Sequence, residues 1–218
     1  MEVKLIDSMG SDVSVVNAAR VSFGKKLDRD FLRDEDIKLI KYLAKHRHMS
    51  PFGHAFASFH VTAPIFVARQ LVKHKFLRWN EISRRYVKSK PEFHEPSVWR
   101  EATNDKKQGS GGQLEWQGGA EVIQLRNYKA AESDYYRLLE MGVCEEQARM
   151  VLPLSAITEW YWSGSLDAFA DMCLLRLGKD AQAETQIVAH GISLQMSKLF
   201  PVSWLSLVYE RIENEQNN

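Results

Sequence analysis

At residue 64 the chain changes its period. Before it, Ala57, Phe59, Val61 and Ala63 alternate with Ser58, His60 and Thr62, the two-residue repeat of a strand with unlike faces. After it, Ile65, Ala68, Leu71 and Val72 recur at helical spacing, and Pro64 suits the first position of a helix. The switch predicts a strand handing over to a helix that runs to Lys75 and ends in basic residues. A chain that does this cannot be all-helical or all-strand.

The remaining periodicity is helical. Ile37, Ile40, Leu43 and Ala44 mark a helix from Asp34 to His46, with Asp34, Glu35 and Asp36 where its N-terminus favours negative charge. Val122, Leu125, Tyr128, Tyr135 and Leu138 predict a long helix stopping near Gly142, and 145 to 152 a short one halted by Pro153. Ser165 is a plausible N-cap for a helix that buries Leu166, Phe169, Ala170, Cys173 and Leu177 and carries Arg176 near its end. A last helix covers 180 to 199, closed by Pro201. Within a polar, Gly-rich stretch of about 101–113, Lys106 to Gly112 predicts a mobile surface loop. Trp160, Tyr161 and Trp162 read as core or subunit packing. The expectation is one helix-rich α+β domain over 1–218 with a small sheet.

Composition narrows the function. With 44% hydrophobic and 26% charged residues the chain has neither a disordered composition nor apolar runs of membrane length, so no membrane role is expected. A net charge of +1 means that any basic feature must be local. Two cysteines, Cys144 and Cys173, make no disulfide framework, and the start at Met1 lacks a signal peptide's apolar core, so a cytoplasmic location is expected.

The local basic feature is the stretch from Arg69 to Tyr86. Lys73, Lys75, Arg78, Arg84 and Arg85 offer donors for phosphate oxygens, while Gln70, Asn80, Glu81 and Ser83 lie among them. The charge of a helix C-terminus accounts for Lys73 and Lys75 alone. Upstream, His46, His48 and His54 crowd a segment broken by Pro51 and Gly53; three imidazoles in such a loop have no fixed convergence, so no metal is assigned.

Lys73-His74-Lys75, with seven residues between it and Ser83, resembles the Arg-His-Arg and Ser signature of the flavin-dependent thymidylate synthases, the ThyX family. The flanks 63 to 70 and 80 to 86, the segment 48 to 54, and downstream 148 to 153 and 174 to 176 match in order. Both signature arginines are lysines here, which keeps charge but loses the planar fork. Ser165 stands where many relatives carry Asn.

The resemblance implies a ThyX-like fold with a mostly antiparallel sheet, assembling as a homotetramer. It implies reductive methylation of dUMP to dTMP, with 5,10-methylenetetrahydrofolate as carbon donor and FAD reduced by NADPH as hydride source. It implies FAD binding by Ser50, Lys73, His74, Lys75, Glu81, Ser165 and Asp171. It further implies dUMP binding by Gln70, Glu81, Ser83, Arg84, Arg85, Arg149 and Arg176. Arg176 is implied to polarise the pyrimidine, with His48 near the flavin and Ser83 in the catalytic set as a dUMP ligand.

The chemistry agrees with those residue types. Methylating uracil C5 builds negative charge on the ring, which a fixed cation stabilises. No side chain supplies hydride, so a cofactor must. Thiolate-dependent thymidylate synthases need an activated cysteine, whereas Cys144 precedes two glutamates and Cys173 lies on an apolar stripe. Two alternatives stand beside this reading. One is a single-strand nucleic-acid module using Trp79 and Tyr86 for stacking, which the near-neutral charge and interleaved Glu81 disfavour. The other is a flavoprotein that oxidises NADPH without methylating.

Overall fold

The computed structural model describes residues 1–103 and 109–216. In chain order the elements are β1 (Glu2–Met9), α1 (Asp12–Arg20), α2 (Asp34–Lys45), β2 (Phe56–Pro64), α3 (Ile65–Leu71), β3 (Arg78–Glu81), α4 (Gly118–Glu140), α5 (Glu145–Ala148), β4 (Ile157–Ser165), α6 (Leu166–Arg176), α7 (Ala183–Leu199), α8 (Pro201–Trp204) and α9 (Glu210–Gln216). The strands form one antiparallel sheet in the order β1-β2-β4-β3. This is the helix-rich α+β architecture with a small antiparallel sheet that the sequence predicts.

β2 and β4 form the centre of the sheet, paired from Phe56↔Ser165 to Pro64↔Ile157. The two-residue period puts Phe59, Val61, Trp160 and Trp162 on the face that α6 and α7 cover, with Phe59 edge-on to Phe169 at 5.2 Å. The other face is polar: the Ser58 and Ser163 hydroxyls bond at 2.8 Å, and His60 Nε2 meets Glu159 at 3.2 Å. The aromatic triplet therefore divides, with Trp160 and Trp162 each 1% exposed while Tyr161, between them, is 51% exposed. None of the described helices is long and apolar enough to cross a membrane.

Several boundaries differ from expectation, each for a tertiary reason. Pro64 is the N-cap of α3, not its first residue, and α3 ends at Leu71, so Lys73 to Lys75 form a turn and not a helix end. Pro201 does close α7 but also begins α8, whose backbone N–H groups at Val202 and Ser203 donate to buried Asp12 at 2.9 Å each. The chain then continues helically through a π-helical segment, Leu205–Tyr209, into α9. Asp36 is no solvated helix-end charge: it is fully buried and accepts from Arg20 at 2.6 Å, Arg29 at 2.5 Å and the Arg33 N–H at 2.9 Å. Burial alone would raise its pKa; those three donors hold it below the usual carboxylate value.

Residues 104–108 of the expected loop lie outside the described residues. Its flanks are tied together, Glu101 N–H donating to Gly112 O at 2.9 Å and Gly111 N–H to Glu101 O at 2.8 Å. Arg100 also reaches Glu184 of α7 through both carboxylate oxygens, at 2.7 and 2.8 Å.

The end of α2 departs from the usual chemistry. His48 N–H donates to Leu43 O at 2.9 Å and Arg47 N–H to Ala44 O at 3.2 Å, the paired bonds of a Schellman turn. The left-handed position of that turn, φ +56°, is held by Arg47. Glycine takes this conformation freely; a side chain costs about 1 kcal/mol or more.

Candidate active site

The basic turn is anchored at both ends of α6. Leu77 packs over Gly164, where an added Cβ would stand 2.4 Å from Leu77 Cδ2 and 3.2 Å from the Phe76 carbonyl oxygen. At the other end of α6, His74 meets Arg176. The 11 residues of α6 span about 16 Å, a gap that residues 74 to 77 and the long Arg176 side chain close together. Between the anchors Lys75 and Phe76 are exposed, as is Lys73 just before them, and Phe76 takes φ +66°. Neither Lys73 nor Lys75 nor Arg78 has an ion-pair partner among the described residues.

Arg176, half-buried at the end of α6, donates from Nε to His74 Nε2 at 3.0 Å and from Nη2 to the Gln70 carbonyl at 3.2 Å. Burial, aided by the Arg176 charge, lowers the His74 pKa to about 4. The imidazole is therefore neutral at physiological pH and accepts the guanidinium's proton donor. Burial also lowers the Arg176 pKa from its high ordinary value, and an arginine remains a cation at neutral pH. Two of the guanidinium's five N–H donors are used; the others have no partner among the described residues. The Gln70 amide is held in turn by Gln182 and by the Thr185 hydroxyl at 3.3 Å.

A second cluster lies at the far end of β3, about 10 Å along the strand from Arg78. Glu81 accepts from the Thr158 hydroxyl at 2.7 Å and from Trp79 Nε1 at 3.1 Å, so both carboxylate oxygens are oriented. Trp79 is itself fixed, stacked on Trp160 at 4.3 Å. Glu81, Arg84, Arg149 and Thr158 line an open cavity of about 300 Å³ floored by Ile65 and Ile157. Arg84 Nη1 donates to Ser89 O at 2.8 Å, and Arg149 Nε to Glu146 O at 3.2 Å. Neither guanidinium pairs with a carboxylate among the described residues.

The structure thus brings Gln70, His74 and Arg176 together, and separately Glu81, Arg84 and Arg149. Ser83 and Arg85 lie beside the second group: the Ser83 hydroxyl accepts from Arg85 N–H at 3.3 Å, and Arg85 pairs with Glu146 at 2.8 Å. His48 and Ser50 are exposed, His48 with its ring 6.1 Å from Tyr42, and Ser50 in the 3-10 turn Ser50–His54. Ser165 caps the start of α6 without a side-chain bond, and Asp171 is exposed midway along that helix. Within one chain these four meet neither cluster. Among the described residues no group of three or more His, Cys, Asp or Glu side chains is arranged to hold a metal.

Thr158, Gln182 and Thr185, which orient Glu81 and Gln70, are absent from the sequence expectation, and Trp79 enters it only as a stacking residue of the nucleic-acid alternative. Trp79 carried a signal: on a strand it shares a face with Glu81, two residues on. As for an activated thiol, Cys173 is buried with its pKa pushed up, and exposed Cys144 precedes α5.

Known proteins share both sequence and fold. The thymidylate synthase complementing protein family, Thy1, matches residues 4–202. The flavin-dependent thymidylate synthase of Thermus thermophilus is 41% identical over 213 residues, covering 97% of this chain and 77% of that protein. That of Anaplasma marginale is 39% identical over 212 residues, covering 95% and 70%. The crystal structure of the UMP/dUMP methylase PolB from Streptomyces cacaoi, bound with 5-Br dUMP, superposes with a TM-score of 0.86 at 33% identity, covering 94% of this chain and 93% of that one. By a match that spans nearly the whole chain and by its fold, this protein belongs to the flavin-dependent thymidylate synthase family.

Proposed function

We propose that this protein methylates uracil C5 of dUMP to give dTMP, taking the carbon from 5,10-methylenetetrahydrofolate, with FAD as cofactor and NADPH as its reductant. The family assignment supports the reaction. The observation that carries its assignment to residues is the Arg176 guanidinium held by a neutral His74.

The donor set fits FAD. Lys73, Lys75 and Arg78 have no ion-pair partner among the described residues and are set beside an 85% exposed Phe76 and a half-buried imidazole, which suits a pyrophosphate joined to flat rings. When bound, FAD supplies the hydride that no side chain can. Lys73, His74 and Lys75 are our cofactor ligands, with Glu81, Ser50, Ser165 and Asp171 completing the set.

The chain's own groups handle the nucleotide. Arg176, its orientation fixed by His74 and Gln70, presents its remaining N–H donors to a pyrimidine carbonyl and stabilises the negative charge that makes C5 nucleophilic, charge that is spent as C5 bonds to carbon. Its proton stays in place. Arg84, Arg85, Arg149 and Ser83 supply donors for the phosphate, and Glu81 accepts from a sugar or ring donor with an orientation set by Thr158 and Trp79. In this reading Ser83 binds and does not attack carbon.

Within one chain no bond among the described residues joins the Arg176 cluster to the Glu81 cavity, and His48 is bonded to neither. We therefore read the site as completed by other copies, in a homotetramer, with 1–218 as one domain; a buried core that joins β1 to α9 supports the latter. The test is direct. Purified protein with FAD should convert dUMP to dTMP when given methylenetetrahydrofolate and NADPH, with UMP as control substrate. Flavin reduction without dTMP would leave only an NADPH-oxidising flavoprotein.

A further inference from the structure

A concavity of about 530 Å³ between α2 and the C-terminal helices has no part in the site above. It is lined by Lys41, Lys45, Arg47 and Arg211, with Glu210 as its one carboxylate. Glu210 pairs with Lys41 at 2.8 Å, while Lys45, Arg47 and Arg211 have no partner among the described residues. In a chain of net charge +1, this gathers a local excess of positive charge that nothing described in the fold neutralises.

The second observation is independent of charge. Arg47 occupies the left-handed position of the Schellman turn ending α2, where glycine would relieve backbone strain. Strained residues persist where their side chains have a use. Here the side chain lines the concavity.

We propose that this cleft binds a multiply charged phosphate group of a small soluble molecule, at a place distinct from the dUMP and FAD phosphates. The pairing of Arg47 and Arg211 with Lys45 suits phosphate oxygens. A concavity of this size suits a metabolite and not the extended strip that a nucleic acid needs. Two sources share this chemistry: free pyrophosphate-like anions, and the 2′-phosphate of NADPH. The NADPH source alone rests on the function proposed above.

The test uses full-length protein saturated with FAD and dUMP, titrated calorimetrically with inorganic pyrophosphate at low ionic strength. Binding is expected, weakening with added salt and weakened about tenfold in Arg47→Gly and again in Arg211→Ala. Arg47→Gly should melt at or above the wild-type temperature, so lost binding cannot be put down to unfolding. If the 2′-phosphate is the source, Arg47→Gly raises the KM for NADPH about tenfold and leaves that for NADH unchanged. If free phosphate is the source, both KM values stay put while pyrophosphate binding is still lost. Methylation with dithionite-reduced flavin should be normal in Arg47→Gly; its absence in the wild type would refute the proposed function without touching the pyrophosphate result. No pyrophosphate binding by the wild type, or equal binding by Arg47→Gly, overturns the cleft proposal.

Discussion

Arg176 and Arg149 are both implied by the family resemblance to be nucleotide ligands, yet their surroundings differ. Arg176 is half-buried, with two of its N–H groups fixed by His74 and the Gln70 carbonyl. Arg149 is exposed in a 3-10 turn, held by a single bond to the Glu146 carbonyl beside an open cavity. A cation fixed before the ligand arrives stabilises charge without reorganising, whereas one that swings into place adds affinity and loses side-chain freedom. Arg176 should therefore govern the chemical step and Arg149 the capture of substrate.

The largest effect is expected from Arg176→Ala, a fall of about 10³-fold in kcat, equivalent to about 4 kcal/mol, with flavin still bound. Stopped-flow single turnovers would measure it; loss of the fold instead would make Arg176 a structural residue. Arg149→Ala should raise the KM for dUMP about tenfold and change kcat little. A kcat loss matching that of Arg176→Ala would erase the distinction between the two arginines.

His74 sharpens the comparison through pH. Its folded pKa, about 4, lies below the ordinary 6.5, so the unfolded chain takes up the proton first. Stability is fully present above pH 6.5 and is lost as pH falls toward 4. The half-exposed ring limits the loss to about 1 to 2 kcal/mol. Melting curves of wild type and His74→Gln should diverge below pH 6.5, the variant showing the flatter profile; parallel profiles would disconnect the imidazole from Arg176. The smallest effect is expected from Lys73→Arg with Lys75→Arg, which should keep FAD affinity or improve it a few-fold by restoring the planar fork. Marked flavin loss on equilibrium dialysis would mean the turn is shaped for lysine.

Period was the readable part of this molecule. β2, α2 and α6 announce themselves because each buries a face along its length, and α4 through Tyr128, Ala131 and Tyr135 alone, its Val122 and Leu125 standing exposed. β3 does not, since Arg78 to Glu81 is polar and takes its form from pairing with β4 and from Trp79 stacked on Trp160. β4 was hidden because three consecutive aromatics look like a cluster until the pleat separates Tyr161 from its neighbours. The end of α3 was misplaced because what stops it lies far away in sequence, at Gly164 and Arg176. The site behaves in the same way. Its cations stand out in the chain, but Thr158, Gln182 and Thr185, which hold Glu81 and the Gln70 amide, belong to other elements.

The seat of Leu77 over Gly164 implies remote sensitivity. A single methyl group added at 164 would press on the Leu77 side chain and crowd the Phe76 carbonyl, shifting a strap whose lysines lie toward its other end. With Lys73 and Lys75 as the proposed cofactor ligands, cofactor affinity becomes hostage to a residue with no functional group at all, and the spacing between β4 and the turn that carries them counts beside charge.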